Sequence, residues 1–412
     1  MSGVAGALAQ VVPGVAFTAY DGSTGGADSP VRLHVRSRRA LAHLISAPGE
    51  LGFARAYVSG EMDLEAPSHR EALQVLHRRK TADLTGRERL QVLRALGREA
   101  LVPVAPPPQE VGAKRLLSGL VAHTPGRDAV AIAHHYDVSN RFYEWVLGPS
   151  MAYTCAVYPT EDATLDEAQA EKFDLVCRKL DLKPGMRLLD VGCGWGGMVR
   201  HAAQHYGVTA LGVTLSQQQA EWARKAVADD GLADRVEVRH ADYRSVHEDG
   251  FDAVSSIGLT EHIGVAEIPA YAQRLAARLR PGGRLLNHCI TRRSVGVPAI
   301  SPRGFIPRYV FPDGELPSVS EVARDLELAG LEVRHEENLR EHYAKTCLAW
   351  CQQLDAHWDE AVAEVGLGTA RVWALYLAGS SLGFERGDIQ LHQVLAVKPD
   401  EGRSGMPLRP VF

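Results

Sequence analysis

The sequence predicts an α/β protein: a doubly wound, mostly parallel sheet covered by helices, preceded by a smaller N-terminal α+β domain. Three observations predict it. From about residue 170 short apolar runs alternate with amphipathic helical segments, a glycine-rich turn LLDVGCGWGG (188–197) joins one such run to a helix, and a proline-rich stretch LVPVAPPPQEVGA (101–113) separates this region from what precedes it. A chain of 412 residues with 45% hydrophobic content exceeds what one core usually serves, so two domains are expected, at 1–118 and 119–412.

In the first domain RLHV (32–35) alternates like a strand, while REALQVLHRR and RERLQVLRALGREAL carry helical apolar spacing with charges on the opposite face. In the second, a helix over 167–180 leads into strand MRLLDVG, and another helix follows Gly197. Strand ALGVTL then precedes helix SQQQAEWARKAVADDG. VEVRHAD, FDAVSSIG and RLLNHCI read as further strands, with a helix in PAYAQRLAARLRPGG between the last two. A helix near 371–380 and a final strand in DIQLHQVLAVKP, added at the sheet edge, complete the pattern, and EGRSGMPLRPVF reads as a loose tail.

Composition narrows the class. The six cysteines, at 155, 177, 193, 289, 347 and 351, form no C-x-x-C pair, which argues for free thiols in a reducing compartment and hence a cytoplasmic location. No run of 18 apolar residues occurs, and no basic region precedes the apolar N-terminus, so membrane contact is expected to be peripheral, on the inner membrane face. Net charge is -5, but Lys and Arg outnumber Asp and Glu by 15 to 11 through residue 118 and fall short by 30 to 39 after it. RSRR (36–39) and HRRK (77–80) fit either a basic face toward an anionic surface or ordinary solvated helices. No basic run is interleaved with aromatics, so nucleic acid is not an expected partner. The pairs His134/His135 and His201/His205 lack a third ligand at zinc spacing, and no metal site is expected.

Gly192, Gly194 and Gly196 follow a strand and precede a helix, where they let the backbone turn sharply and approach a ligand. A nicotinamide cofactor calls for G-x-G-x-x-G and an acid at the end of the next strand. Here the glycines are closer together and that strand ends in VTLSQQQ. This departure, with ARLRPGGRLL (277–286) late in the sheet, points to the Rossmann-like fold of S-adenosylmethionine (SAM) methyltransferases. SSIGLTEHIG (255–264) holds the place of the N-P-P-Y type loop of nucleic-acid amino methyltransferases, which disfavours a base as substrate.

HHYDVSNRFYEWVLGPSMAYTCAVYP (134–159), LDVGCGWGG, TLSQQQ (214–219), SIGLTEHIG, LNHCIT (286–291) and EHYAKTCLAW (341–350) occur in an order that resembles the cyclopropane-fatty-acyl-phospholipid synthase family. The resemblance covers roughly 120–400, and more loosely 48–66. It implies SAM as methyl donor, with Tyr136 and Tyr153 contacting it, Gly192, Gly194 and Gly196 forming its loop, Thr214 and Gln219 replacing the acidic ribose anchor, and Asp242 near the adenine. It also implies bicarbonate as base, held by Cys155, Glu261, His288, Tyr343 and the backbone of Ile290. The Cys155 thiol is expected to stay protonated, because a thiolate beside a sulfonium would itself be methylated.

The implied reaction is methyl transfer to the cis double bond of unsaturated acyl chains of membrane phospholipids. It leaves a carbocation that needs an apolar, aromatic-lined channel, for which Phe142, Tyr143, Trp145, Phe305, Tyr309 and Phe311 are candidates. Thr260, before Glu261, stands where cyclopropane-forming relatives commonly have an aromatic residue. With PRGFIPRYVFPDGEL (302–316) it resembles the actinobacterial subgroup that makes 10-methylene chains on the way to tuberculostearate. That subgroup works with a separate flavin-dependent reductase, and a homo-oligomer is expected. A cyclopropane product, a small-molecule methyltransferase and a non-catalytic lipid-binding protein remain as alternatives.

Overall fold

The computed structural model describes residues 3–47, 49–78, 97, 102, 104–111, 139–296, 304–312 and 314–412. The chain forms two compact units: Met1–Leu117, Ser301–Pro312 and Cys347–Leu382 make the first, and Ser118–Ile300, Asp313–Thr346 and Gly383–Phe412 the second. The first unit is therefore not the continuous stretch 1–118 that the sequence suggests. Its apolar helix face, Ala54, Tyr57 and Val58, is buried against Phe305, Tyr309, Val310, Val372 and Leu375, and partners so distant in sequence leave no local signal. The helix expected within RERLQVLRALGREAL lies almost wholly outside the described residues, as do Arg79 and Lys80 of the second basic cluster.

Four short strands order the first unit: β1 (Ala16–Ala19), β2 (Thr24–Gly26), β3 (Arg32–Val35) and β4 (Met62–Glu65), in the order β2-β1-β3-β4. RLHV is β3, and its alternation buries Leu33 and Val35 among Phe17, Leu41 and Met62. Of the RSRR cluster, Arg36 pairs with Asp63 at 2.6 Å and Arg39 with Glu61 at 3.3 Å, so two of its charges are already matched within the unit. The proline-rich stretch ends in a buried anchor. Glu110 accepts two 2.6 Å hydrogen bonds from Arg55 and one from Tyr309 at 3.2 Å, with Arg308 3.4 Å away, and the Val111 N–H donates to the Arg308 carbonyl.

The second unit is built on seven strands: β5 (Arg187–Val191), β6 (Thr209–Thr214), β7 (Val236–His240), β8 (Phe251–Ile257), β9 (Leu279–Arg292), β10 (Glu332–Asn338) and β11 (Ile389–Val397). Their order is β10-β11-β9-β8-β5-β6-β7, with β7, β6, β5, β8 and β9 parallel and β11 antiparallel to both of its neighbours, β9 and β10. Strand periodicity sends neighbours to opposite faces. Leu188 packs with Val176, Leu180 and Val199 under helices Leu165–Leu180 and Gly197–Tyr206, while Leu189 packs with Tyr271, Leu275 and Leu326 under helices Ile268–Arg278 and Val319–Leu328. Both faces are covered, as a doubly wound sheet requires.

Two expectations change. DIQLHQVLAVKP contains β11, which lies inside the sheet between β9 and β10 instead of at its edge; β10, EVRHEEN in sequence, is polar and half-exposed and carries no apolar alternation to reveal it. The final residues are not a loose tail throughout, since Met406 and Phe412 pack against the core and the Phe412 ring meets His335 at 5.0 Å.

Truncating Glu110 leaves Arg55 and Arg308 half-buried without their counter-charge. Glu110→Ala is expected to cost about 3–5 kcal/mol in urea denaturation, whereas an exposed-pair substitution such as Lys225→Ala is expected to cost under about 1 kcal/mol.

Candidate active site

Strand β5 ends at Val191, and the next five residues turn the chain into helix Gly197–Tyr206. Gly192, Gly194 and Gly196 all have positive φ (78°, 54° and 80°), a region in which a side chain is strained. A Cβ on Gly192 would lie 3.2 Å from Leu259 and one on Gly196 3.1 Å from Ala223, but one on Gly194 would meet nothing within 4 Å. The loop is held from outside by the Trp195 indole, which donates to Asn140 Oδ1 at 3.0 Å and packs on Tyr143.

The turn borders a cavity of about 110 Å³ at the carboxyl ends of the parallel strands, where ligands bind in open α/β sheets. Gly192, Gly194, Tyr153, Thr214 and Gln219 line it, with Ala241 and Tyr243. The Thr214 hydroxyl donates to Gln219 Oε1 at 2.8 Å, which orients the amide so that its N–H donors remain for a ligand hydroxyl. Gly196 caps the helix and is not part of the lining. Asp242 is also absent from it: its carboxylate accepts from the backbone and guanidinium of Arg244 at 2.7–2.9 Å, so the residues on either side face the cavity instead. Tyr136 lies outside the described residues.

Two lining residues carry charge chemistry that the sequence reading passed over. Lys172 is buried on helix Leu165–Leu180, donates to Thr154 Oγ1 at 2.9 Å, and is brought down to about 7 by burial. Asp190, at the end of β5, accepts from Ser255 at 2.6 Å and is pushed up to about 6 by burial. The signal existed: Ala168, Lys172, Val176 and Lys179 occupy one buried helical stripe, and lysine at a core position of such a stripe is unusual.

Beside the cavity, residues 257–262 run from β8 into a short turn. Ile257, Gly258, Leu259 and His262 line the cavity, and Glu261 is buried among them. Glu261 Oε1 accepts the Ile290 N–H at 2.7 Å, while Oε2 is buried with no partner. Burial pushes this carboxyl up to about 7. His288, two residues before Ile290 on β9, is fully buried; its Nδ1 meets Gln393 at 3.2 Å and its Nε2 has no partner. Burial holds its imidazole neutral, well below the usual range.

Cys155 follows Thr154 directly, and burial raises its thiol well above the ordinary value. Its S–H is directed at backbone carbonyls, Ala156 at 3.1 Å and Leu339 at 3.7 Å, and the Leu339 carbonyl also receives the Tyr343 N–H, so Cys155 and Tyr343 share one backbone anchor. The Tyr343 ring stacks on Phe384 at 4.3 Å. The imidazole and the carboxyl each keep one buried polar atom without a protein partner, whereas the Cys155 S–H is already directed at backbone carbonyls. The Ile290 N–H is likewise already engaged, by Glu261. Of the aromatic candidates, Phe142 and Tyr143 belong to the second unit, with Tyr143 5.9 Å from Tyr153, whereas Phe305, Tyr309 and Phe311 belong to the core of the first. Among the described residues no group of three or more His, Cys, Asp or Glu converges on a metal position.

A family model described as mycolic acid cyclopropane synthetase matches residues 123–394. The chain belongs to that family. It is 54% identical over 402 residues to a probable fatty acid methyltransferase of Mycobacterium tuberculosis, covering 96% of this chain and 93% of the relative. It is 35% identical over 261 residues to the cyclopropane-fatty-acyl-phospholipid synthase of Escherichia coli strain K12, covering 63% of this chain and 66% of the relative. Among solved structures it resembles the mycolic acid cyclopropane synthase CmaA1 complexed with SAH and CTAB, with a TM-score of 0.62 and 33% identity over 66% of this chain and 98% of that one. The fold is thus that of the cyclopropane synthase structures, and the chain is a SAM-dependent methyltransferase of the cyclopropane-fatty-acyl synthase family. The glycine turn and the cavity residues would hold SAM, and their chemistry fits it: a bare Gly194, the Thr214–Gln219 pair, and buried acid and amine groups at Asp190 and Lys172.

The raised Glu261 carboxyl makes stability depend on pH in a definite direction. The folded chain holds this proton up to about 7, whereas the unfolded chain releases it near 4.5, so this residue's contribution is lost as pH rises through that window. Glu261→Gln removes the dependence. Between about pH 5 and pH 8 the variant is expected to gain on the order of 2–3 kcal/mol relative to the wild type in urea denaturation; identical pH slopes would contradict a buried neutral carboxyl.

Proposed function

We propose that the chain transfers the methyl group of SAM to the cis double bond of unsaturated acyl chains of phospholipids, and that loss of a proton leaves a 10-methylene chain. The observation that carries this reading is the pair of buried, unpartnered polar atoms beside the SAM cavity, Glu261 Oε2 and His288 Nε2. An enzyme that methylates an amine or hydroxyl loses its proton from nitrogen or oxygen, where water can accept it. One that methylates an alkene must dispose of a proton in a water-free site, and desolvated groups ready to hold an anion serve that need.

SAM, when bound, supplies an electrophilic methyl group, and bicarbonate, when bound, supplies a base. His288 and Glu261 would hold the anion by hydrogen bonds. Cys155 and Tyr343 complete the set that the family resemblance implies, and burial keeps the Cys155 thiol from competing for the methyl. Tyr143, Tyr153 and Trp195 present aromatic faces near the glycine turn, where positive charge would be tolerated.

The acyl substrate is supported by relatives named for fatty acid methylation and for fatty-acyl-phospholipid cyclopropanation. The methylene product is supported by Thr260, which is buried and accepts from Asn287 at 2.7 Å, so a small polar residue occupies the place before Glu261. Cyclopropane formation is the second reading, favoured by the names of the family model and of CmaA1. Access to phospholipids calls for peripheral association with the inner membrane face, and among the described residues no helix is long and apolar enough to cross a membrane. A flavin-dependent reductase would consume the methylene product, and the working form would be a homo-oligomer.

Incubation with SAM and oleoyl-phospholipid vesicles, followed by mass spectrometry of the fatty acid methyl esters, is expected to give a methylene-branched ester. A cyclopropane ester would support the second reading, and an unmodified lipid pool would contradict both. Glu261→Gln and His288→Ala are expected to lower turnover at least about 100-fold while binding SAM as the wild type does.

A further inference from the structure

The buried face of helix Leu165–Leu180 carries a second lysine, Lys179, whose side chain is 1% exposed. Its ammonium donates to Glu337 Oε2 at 2.5 Å and to Gln393 Oε1 at 2.7 Å. An ammonium can only donate, so the Gln393 atom facing it is the amide oxygen, and the amide nitrogen faces the other way. There it meets His288 Nδ1 at 3.2 Å, because Gln393 and His288 are direct partners in the β9–β11 register and share a face of the sheet. An amide nitrogen also only donates, so His288 Nδ1 must be the acceptor. The ring proton then sits on Nε2, the buried atom without a partner.

We infer that Lys179 and Gln393 are positioning residues that lock His288 in the tautomer protonated at Nε2, so that its imidazole can donate toward the site but cannot act there as a base. Proton uptake at Nδ1 would set two donors against each other. Turning the Gln393 amide to relieve that would set its nitrogen against the Lys179 ammonium. The lock therefore has no low-cost alternative state while the Glu337–Lys179–Gln393 chain is intact. This rests on the reading of His288 as a site residue, and it adds that the proton lost by the product must leave through some group other than His288.

The test is a long-range proton–nitrogen NMR correlation on the full chain labelled with ¹⁵N-histidine, with the His288 signal assigned from its loss in His288→Gln. The expected result is a neutral ring protonated at Nε2 from about pH 6 to pH 8. A ring protonated at Nδ1, or an imidazolium, in the wild type would overturn the lock, and this result needs no variant. Gln393→Glu keeps the size of the side chain and its bond to Lys179 but turns an acceptor toward Nδ1. It is expected to move the proton to Nδ1 and to lower turnover about 10–100-fold, with SAM affinity within about two-fold of wild type. An unchanged tautomer in this variant would overturn the lock. A changed tautomer with unchanged turnover would leave the lock standing and overturn the role of His288 in the reaction.

Discussion

Burial of polar groups without partners is the constraint on which the rest of the second unit depends. Glu261 and His288 each use one polar atom on the protein and leave the other buried without a protein partner, a state that costs about 1–3 kcal/mol per group unless a ligand meets it. Such a cost persists only where the surrounding structure fixes the groups in place. The Ile290 N–H fixes the first, Gln393 the second, and both anchors lie on the paired strands β9 and β11 inside the sheet. The same burial that leaves them unsatisfied sets their chemistry, since it keeps the carboxyl protonated near neutrality and the imidazole uncharged.

The adjoining cavity follows the same rule with opposite charges. Lys172 and Asp190 are both desolvated until their charged forms are barely favoured, and both line the space that the glycine turn opens. A zwitterionic ligand would repay that desolvation, while an empty cavity would not. The sheet thus places two sets of desolvated groups side by side at the carboxyl ends of its strands: Lys172 and Asp190 in the cavity, Glu261 and His288 beside it.

Much of the second unit was legible in the sequence because its signals are local. The strand-turn-helix at 188–197 needs only glycines and apolar neighbours, and every strand from β5 to β9 alternates or runs apolar for physical reasons that act within a few residues. β10 was not legible, because an edge strand with a half-exposed polar surface has no pattern to show. The composition of the first unit was hidden for a different reason: Phe305, Tyr309 and Val372 join a cluster with Tyr57 only through folding. In the site, resemblance named Cys155, Glu261, His288 and Tyr343, but it gave no hint that Lys179 and Gln393 decide how His288 is protonated. Asp242 was read from its position alone, and Arg244, two residues away, engages the carboxylate that the position suggested was available.

The central claim is that the methyl group is delivered to carbon and then loses a proton in a dry site. Isotope retention tests it most directly: turnover with SAM carrying a fully deuterated methyl, followed by mass measurement of the modified acyl chain. The account predicts that two of the three deuterium atoms remain in the product. A product that keeps all three would show that the proton leaves from a position other than the transferred methyl group, and would contradict that claim.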